Sequence, residues 1–90
     1  MKIEIQHTAD CPNADPIITR ARRVAATHPD VVVTTVLVHE GSQMPEGFAG
    51  SPTVLIDGTN CFGGAATEAP ACALRPPTPE RVEAAILTAL

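Results

Sequence analysis

The sequence predicts a single α/β domain of minimal βαβ-ββα order, with a mixed four-stranded sheet. Three observations predict it. In the first half, an alternating segment, a helical stripe and a β-branched run follow one another, which is the pattern of a βαβ unit. Asp57-Gly58, after a second apolar run, marks a β-hairpin turn. A capped amphipathic segment then ends the sequence.

Residues 2–7 alternate, with Ile3 and Ile5 on one face and Lys2, Glu4 and Gln6 on the other, as in a half-buried strand. Residues 8–13 have turn chemistry. A helix follows, with Ile17, Ile18, Ala21, Val24 and Ala25 on one stripe and the arginines largely off it. Either Asp15-Pro16 or Cys11-Pro12 reads as its N-cap followed by a first-turn proline. The two together imply strain, so a loose or kinked first turn is expected. His28-Pro29-Asp30 ends the helix. Residues 31–38, VVVTTVLV, read as a strand covered on both faces, parallel to the first and joined to it by a right-handed crossover.

Residues 39–51 contain three glycines and a proline and read as a loop. Pro52 opens a strand to Asp57, and a return strand is expected at 59–62, broken by Gly63-Gly64. Residues 65–77 read as an ordered loop. Thr78-Pro79-Glu80 supplies an N-cap, a first-turn proline and an acid near the helix N-terminus. Val82, Ala85, Ile86, Ala89 and Leu90 form the stripe of the last helix. There is no internal repeat or linker, so residues 1–90 read as one domain around one core.

The chain is 44% hydrophobic but has no Trp or Tyr and only two Phe, so its core must be aliphatic. Stacking surfaces for nucleic acid are not expected. A net charge of −4 also disfavours nucleic acid and anionic membranes. The short cluster Arg20, Arg22, Arg23 reads as a solvated helix face. No segment approaches the roughly 20 apolar residues of a membrane span. The N-terminus reads as a strand rather than a signal peptide, and a cytoplasmic location is expected. Three cysteines, Cys11, Cys61 and Cys72, are too few and odd in number for a disulfide scaffold. Cys61 is expected in the core or at the sheet edge.

Two local motifs carry a resemblance. The first strand runs into Cys11-Pro12-Asn13, which opens the first helix. Later comes Gly50-Ser51-Pro52-Thr53-Val54-Leu55-Ile56-Asp57-Gly58. Together with the element order, these resemble the thioredoxin/glutaredoxin superfamily and imply a thioredoxin-like fold with a cis-proline at Pro52. Phe62-Gly63-Gly64 with Glu68 is similar to the glycine pair and acid with which glutaredoxins hold glutathione. The nearest likeness is to small bacterial thioredoxin-like proteins with a later cysteine before the last helix, here Cys72. Some of these are related by name to alkylmercury lyase. The resemblance covers nearly the whole chain, through short motifs. Two departures matter: Ala14 stands where thioredoxins have a second cysteine, and the Cys-Gly-Phe-Ser motif of cluster-binding glutaredoxins is missing. A dithiol within the turn is therefore excluded, and no cofactor is expected.

Cys11 and Cys72 are the candidate catalytic residues; Pro12, Ser51, Pro52 and Thr53 are the candidate substrate-binding residues. A helix N-terminus lowers a thiol pKa, whereas the flanking Asp10 and Asp15 raise it, so only modest activation of Cys11 is expected. A cis Ser51–Pro52 bond would turn the Ser51 backbone towards an extended substrate; alternatively, Pro52 merely begins an edge strand. Monothiol attack leaves a mixed disulfide that a second thiol must resolve, and Cys72 is the internal candidate. Arg75 could offset the local acids or simply face solvent, and His7 could approach Cys11 or be an ordinary surface residue.

Three functional readings follow. The first is a monothiol disulfide oxidoreductase acting on a disulfide-bearing protein or a small thiol. The second is a non-catalytic module that binds a protein through its sheet edge or its 39–51 loop. The third is soft-metal or mercurial binding by Cys11 and Cys72, although their spacing fits no zinc pattern. No paired-carboxylate, Ser-His-Asp or phosphate-loop signature is present.

Overall fold

The computed structural model describes residues 1–9, 11–38, 48–60, 62 and 77–90. The described residues form a small α/β domain of four strands and two helices, β1 (Lys2–Thr8), α1 (Ala14–Thr27), β2 (Val32–Val38), β3 (Thr53–Ile56), β4 (Thr59–Asn60) and α2 (Pro79–Ala89). The strand order is β2-β1-β3-β4. β1 runs parallel to β2 and antiparallel to β3, and β3 runs antiparallel to β4, so the sheet is mixed.

Register follows from the alternation in β1. Ile3 lies opposite Ile56 and Ile5 opposite Val54, which puts four branched aliphatic side chains on one face. Both helices cover that face. Ile17, Ile18, Ala21 and Val24 of α1 and Val82 and Ile86 of α2 join the four in one apolar cluster. The helical stripes recur every three or four residues because 3.6 residues per turn returns those positions to one side.

The strand buried on both faces is β3, not β2. All four residues of β3, which lies between β1 and β4, are buried. β2 is outermost in the sheet, and Val32 and Leu37 are 53% and 54% exposed. The expectation of a doubly covered strand at 31–38 is therefore corrected: a β-branched run reports strand propensity, while coverage depends on position in the sheet.

The start of α1 also differs from expectation. Its N-cap is Asn13, in the αR region and with no side-chain capping bond, so neither Cys11 nor Asp15 caps it. Pro16 is the third helical residue, where an amide has no intrahelical acceptor, and Pro12 lies outside the helix. Both prolines are thus accommodated without losing a helical hydrogen bond. At the other end, the His28 N–H bonds the Ala25 carbonyl and Pro29 prevents continuation.

α2 begins as its sequence predicts: the Thr78 side chain accepts from the Arg81 N–H at 3.2 Å, and Pro79 occupies the first turn. Its stripe ends early, since Ala89 is exposed and Leu90 is 51% exposed. The β3–β4 turn uses Asp57 (φ 50°) and Gly58 (φ 84°), two left-handed residues matching the hand of a two-residue hairpin. Asp57 donates its N–H to Lys2 O and accepts the Lys2 N–H on Oδ1, both at 2.8 Å, which anchors the hairpin to β1. Only residues 59 and 60 of the expected 59–62 strand are paired among the described residues.

Candidate functional site: a thiol against the carbonyl before Pro52

The site lies where the end of β1, the entry to α1 and the segment before β3 meet. Two turn bonds set the chain after β1: the Cys11 N–H to Thr8 O at 3.4 Å, and the Ala14 N–H to Cys11 O at 3.2 Å. They set Cys11 so that its side chain turns inward.

The opposing wall is 48–53. Gly50 has φ +105°, a left-handed conformation that glycine adopts without a Cβ clash. The Thr53 hydroxyl accepts the Ala49 N–H at 2.9 Å and donates to the Gly50 carbonyl, clamping the loop from within. Ser51 Oγ accepts the Thr8 N–H at 2.9 Å, which ties this wall to β1. The Ser51–Pro52 peptide is cis, the geometry the motif implies. Its carbonyl, Ser51 O, accepts from Cys11 Sγ at 3.4 Å. Residues 40 positions apart thus meet at one sulfur–oxygen contact.

The surroundings of the sulfur correct the picture of a thiol set at a helix N-terminus. Cys11 stands two residues before the N-cap and is 5% exposed. It belongs to the apolar cluster that contains Ala14 and Ile17. Donation to a carbonyl and removal from water both favour the neutral thiol over the thiolate. Ser51, Pro52 and Thr53 are buried as well, while Pro12 and Asn13 are exposed. Pro12 is therefore the surface member of the predicted set, directly beside the buried sulfur in the chain.

The Thr53 hydroxyl is engaged inside the loop. Two contributors escape sequence reasoning, the Thr8 amide and the Gly50 turn. A glycine three residues before a threonine is a weak sign of such a side-chain-closed turn. His7 Nδ1 lies 3.1 Å from the Thr8 carbonyl, so its ring is engaged locally. Phe62 packs against the core with the Arg81 guanidinium 5.8 Å from its ring centre. Cys72, Cys61, Asp10, Gly63, Gly64, Glu68, Arg75 and residues 39–47 lie outside the described residues.

An open cleft of about 370 Å³ beside the first three turns of α1 and the start of α2 is lined by Asp15, Pro16, Thr19, Arg20, Arg23 and Pro79. Arg20 is already bridged to Glu80 at 3.7 Å and Glu83 at 3.5 Å. Among the described residues, no group of three or more His, Cys, Asp or Glu is arranged to hold a metal ion. None of their helices is long and apolar enough to cross a membrane.

Fold and site together define a small α/β domain with a buried cysteine held against the carbonyl preceding a cis-proline. No protein-family model, curated protein or solved structure matches the chain.

Proposed function

We propose that the chain is a thioredoxin-like thiol protein whose working sulfur is Cys11, acting as a monothiol disulfide oxidoreductase. The observation that carries this reading is the 3.4 Å contact between Cys11 Sγ and the Ser51 carbonyl. That carbonyl is also the backbone acceptor an extended substrate segment would use. An incoming backbone N–H would replace the Cys11 S–H there and release the sulfur beside the substrate.

In the reaction, Cys11 S–H loses its proton and the thiolate attacks one sulfur of a disulfide. A Cys11–substrate disulfide forms, and the other sulfur leaves as a thiolate that takes up a proton. A second thiol, Cys72 or an external thiol reductant, then attacks the Cys11 sulfur of this mixed disulfide, forming a new disulfide with Cys11 as the first substrate sulfur leaves as a thiol; a further external thiol reduces that disulfide, regenerates the Cys11 thiol and is itself oxidised to a disulfide. Partners are thus proteins or small molecules bearing a thiol or disulfide.

The test is exchange with a chromogenic aromatic disulfide, comparing the full chain with Cys11→Ser and Cys72→Ser. Release of one aromatic thiol per chain is expected, lost in Cys11→Ser and retained in Cys72→Ser. Loss of turnover, but not of the first release, in Cys72→Ser would assign resolution to Cys72. Equal rates for the full chain and Cys11→Ser would overturn the redox reading.

A second reading has its own observation. At 5% exposure, Cys11 serves as well as a small core residue, and the domain then works as a non-catalytic binding module. Unchanged cellular function with Cys11→Ala would select it.

A further inference from the structure

We infer that the outer edge of β2 pairs antiparallel with β2 of a second copy of this chain, joining two four-stranded sheets across a two-fold axis at Thr35. The inference does not depend on the thiol chemistry.

The hydrogen-bonding geometry selects this pairing. The Val32 N–H is directed at β1, where it bonds Met1 O at 2.9 Å. Backbone groups alternate along a strand, so the N–H and C=O groups of Val33, Thr35 and Leu37 point away from β1. No strand lies beyond them among the described residues. A strand edge of this kind calls for another strand. Natural edges are usually blunted by charge, proline or a bulge, yet the seven residues VVTTVLV include no charged residue and no proline.

The same register identifies the occupant. A two-fold axis at Thr35 places Thr35 opposite Thr35 and Val33 opposite Leu37. Every outward amide and carbonyl of these three residues then has a partner, as a self-complementary isologous contact requires. Side chains match as well. Val33 lies opposite Ile3 in the β1–β2 register and packs against the core. Leu37, on the same face, is 54% exposed and would cover Val33 of the second copy. On the other face Val32 is 53% exposed, whereas Val38, which stands opposite it in this register, is already buried within each copy at 1% exposure. Leu37 is one of the four large apolar side chains exposed among the described residues, and this register covers it. Each chain carries a net charge of −4, but none of it is on β2, so no like charges are brought face to face along the paired strands.

Sedimentation velocity on the full chain, from micromolar to millimolar concentration, tests the inference. The weight-average mass is expected to rise from 9.4 kDa towards twice that value. Thr35→Lys sets two ammonium groups against each other on the axis while altering a side chain exposed in the single copy. It is expected to stay at the single-chain mass with an unchanged far-ultraviolet circular dichroism spectrum. Leu87→Lys, on the exposed face of α2, is expected to associate like the parent chain. A parent chain that keeps its single mass throughout overturns the inference. So does association that survives Thr35→Lys or is lost with Leu87→Lys.

Discussion

Ser51 does two jobs at once: its carbonyl holds the Cys11 thiol and its hydroxyl holds the Thr8 amide. Replacing Ser51 with Ala removes the acceptor of a partly buried N–H and leaves the carbonyl in place. Stability should fall by about 1–3 kcal/mol, because the stranded donor loses its bond without regaining water. Urea unfolding would report this as a lower midpoint with an unchanged slope. Thr53→Val should cost a similar amount, since its hydroxyl serves one donor and one acceptor inside the loop. Cys11, Ser51 and Pro52 were legible as a group from the motifs around them. The burial of Cys11 was not, because Cys-Pro-Asn after a strand has the same local chemistry whether its sulfur faces solvent or core. The partner of the Thr8 amide was equally hidden, since it comes from 43 positions away.

At the scale of elements, the hairpin and the two helix starts respond differently to change. Gly58 has φ +84°, and a Cβ added there meets nothing within 4 Å. Gly58→Ala should therefore cost only the left-handed backbone penalty, about 1–2 kcal/mol, with no added clash. A much larger loss in thermal unfolding would mean that the turn is crowded after all. Thr78→Ala removes the cap of α2 and should cost about 1 kcal/mol in the same assay. Asn13→Ala should cost much less, because Asn13 makes no side-chain capping bond. α2 was readable residue by residue, since cap, proline and acid stand in fixed order. The start of α1 was not, because Asp15-Pro16 and Cys11-Pro12 offer two equally good local patterns. The turn bonds from Thr8 through Cys11 to Ala14 favour neither and begin the helix between them.

For the whole molecule, the central fact is one apolar cluster shared by two helices and two inner strands. Ninety residues at roughly 0.05–0.15 kcal/mol each give a net stability of about 5–14 kcal/mol. Ile86 is fully buried in that cluster, and Ile86→Ala should remove about 2–5 kcal/mol, a large part of the total. Arg20→Ala breaks both inter-helix ion pairs, yet should cost no more than about 1 kcal/mol. The Glu80 side chain is 72% exposed and the Glu83 side chain 37%, so solvent screens both pairs. Calorimetry of the two variants would separate these scales, and a larger loss for Arg20→Ala would contradict a core-dominated fold. Aliphatic content alone made such a core readable. Which strand lay inside the sheet was not readable: the run at 31–38 suggests a covered strand, yet β2 is outermost.

Local rules settle much of this chain without reference to long-range contacts. Alternation set the buried face of β1, three-and-four spacing set the stripes of α1 and α2, and Asp57-Gly58 set the hairpin. These depend on neighbours within a turn or a strand, so sequence suffices. Only tertiary structure decided that β2 lies at the edge, that Asn13 begins α1, and that the Cys11 sulfur is turned into the core against the Ser51 carbonyl. Each of these depends on groups distant along the chain, where position in the assembled sheet outweighs local propensity.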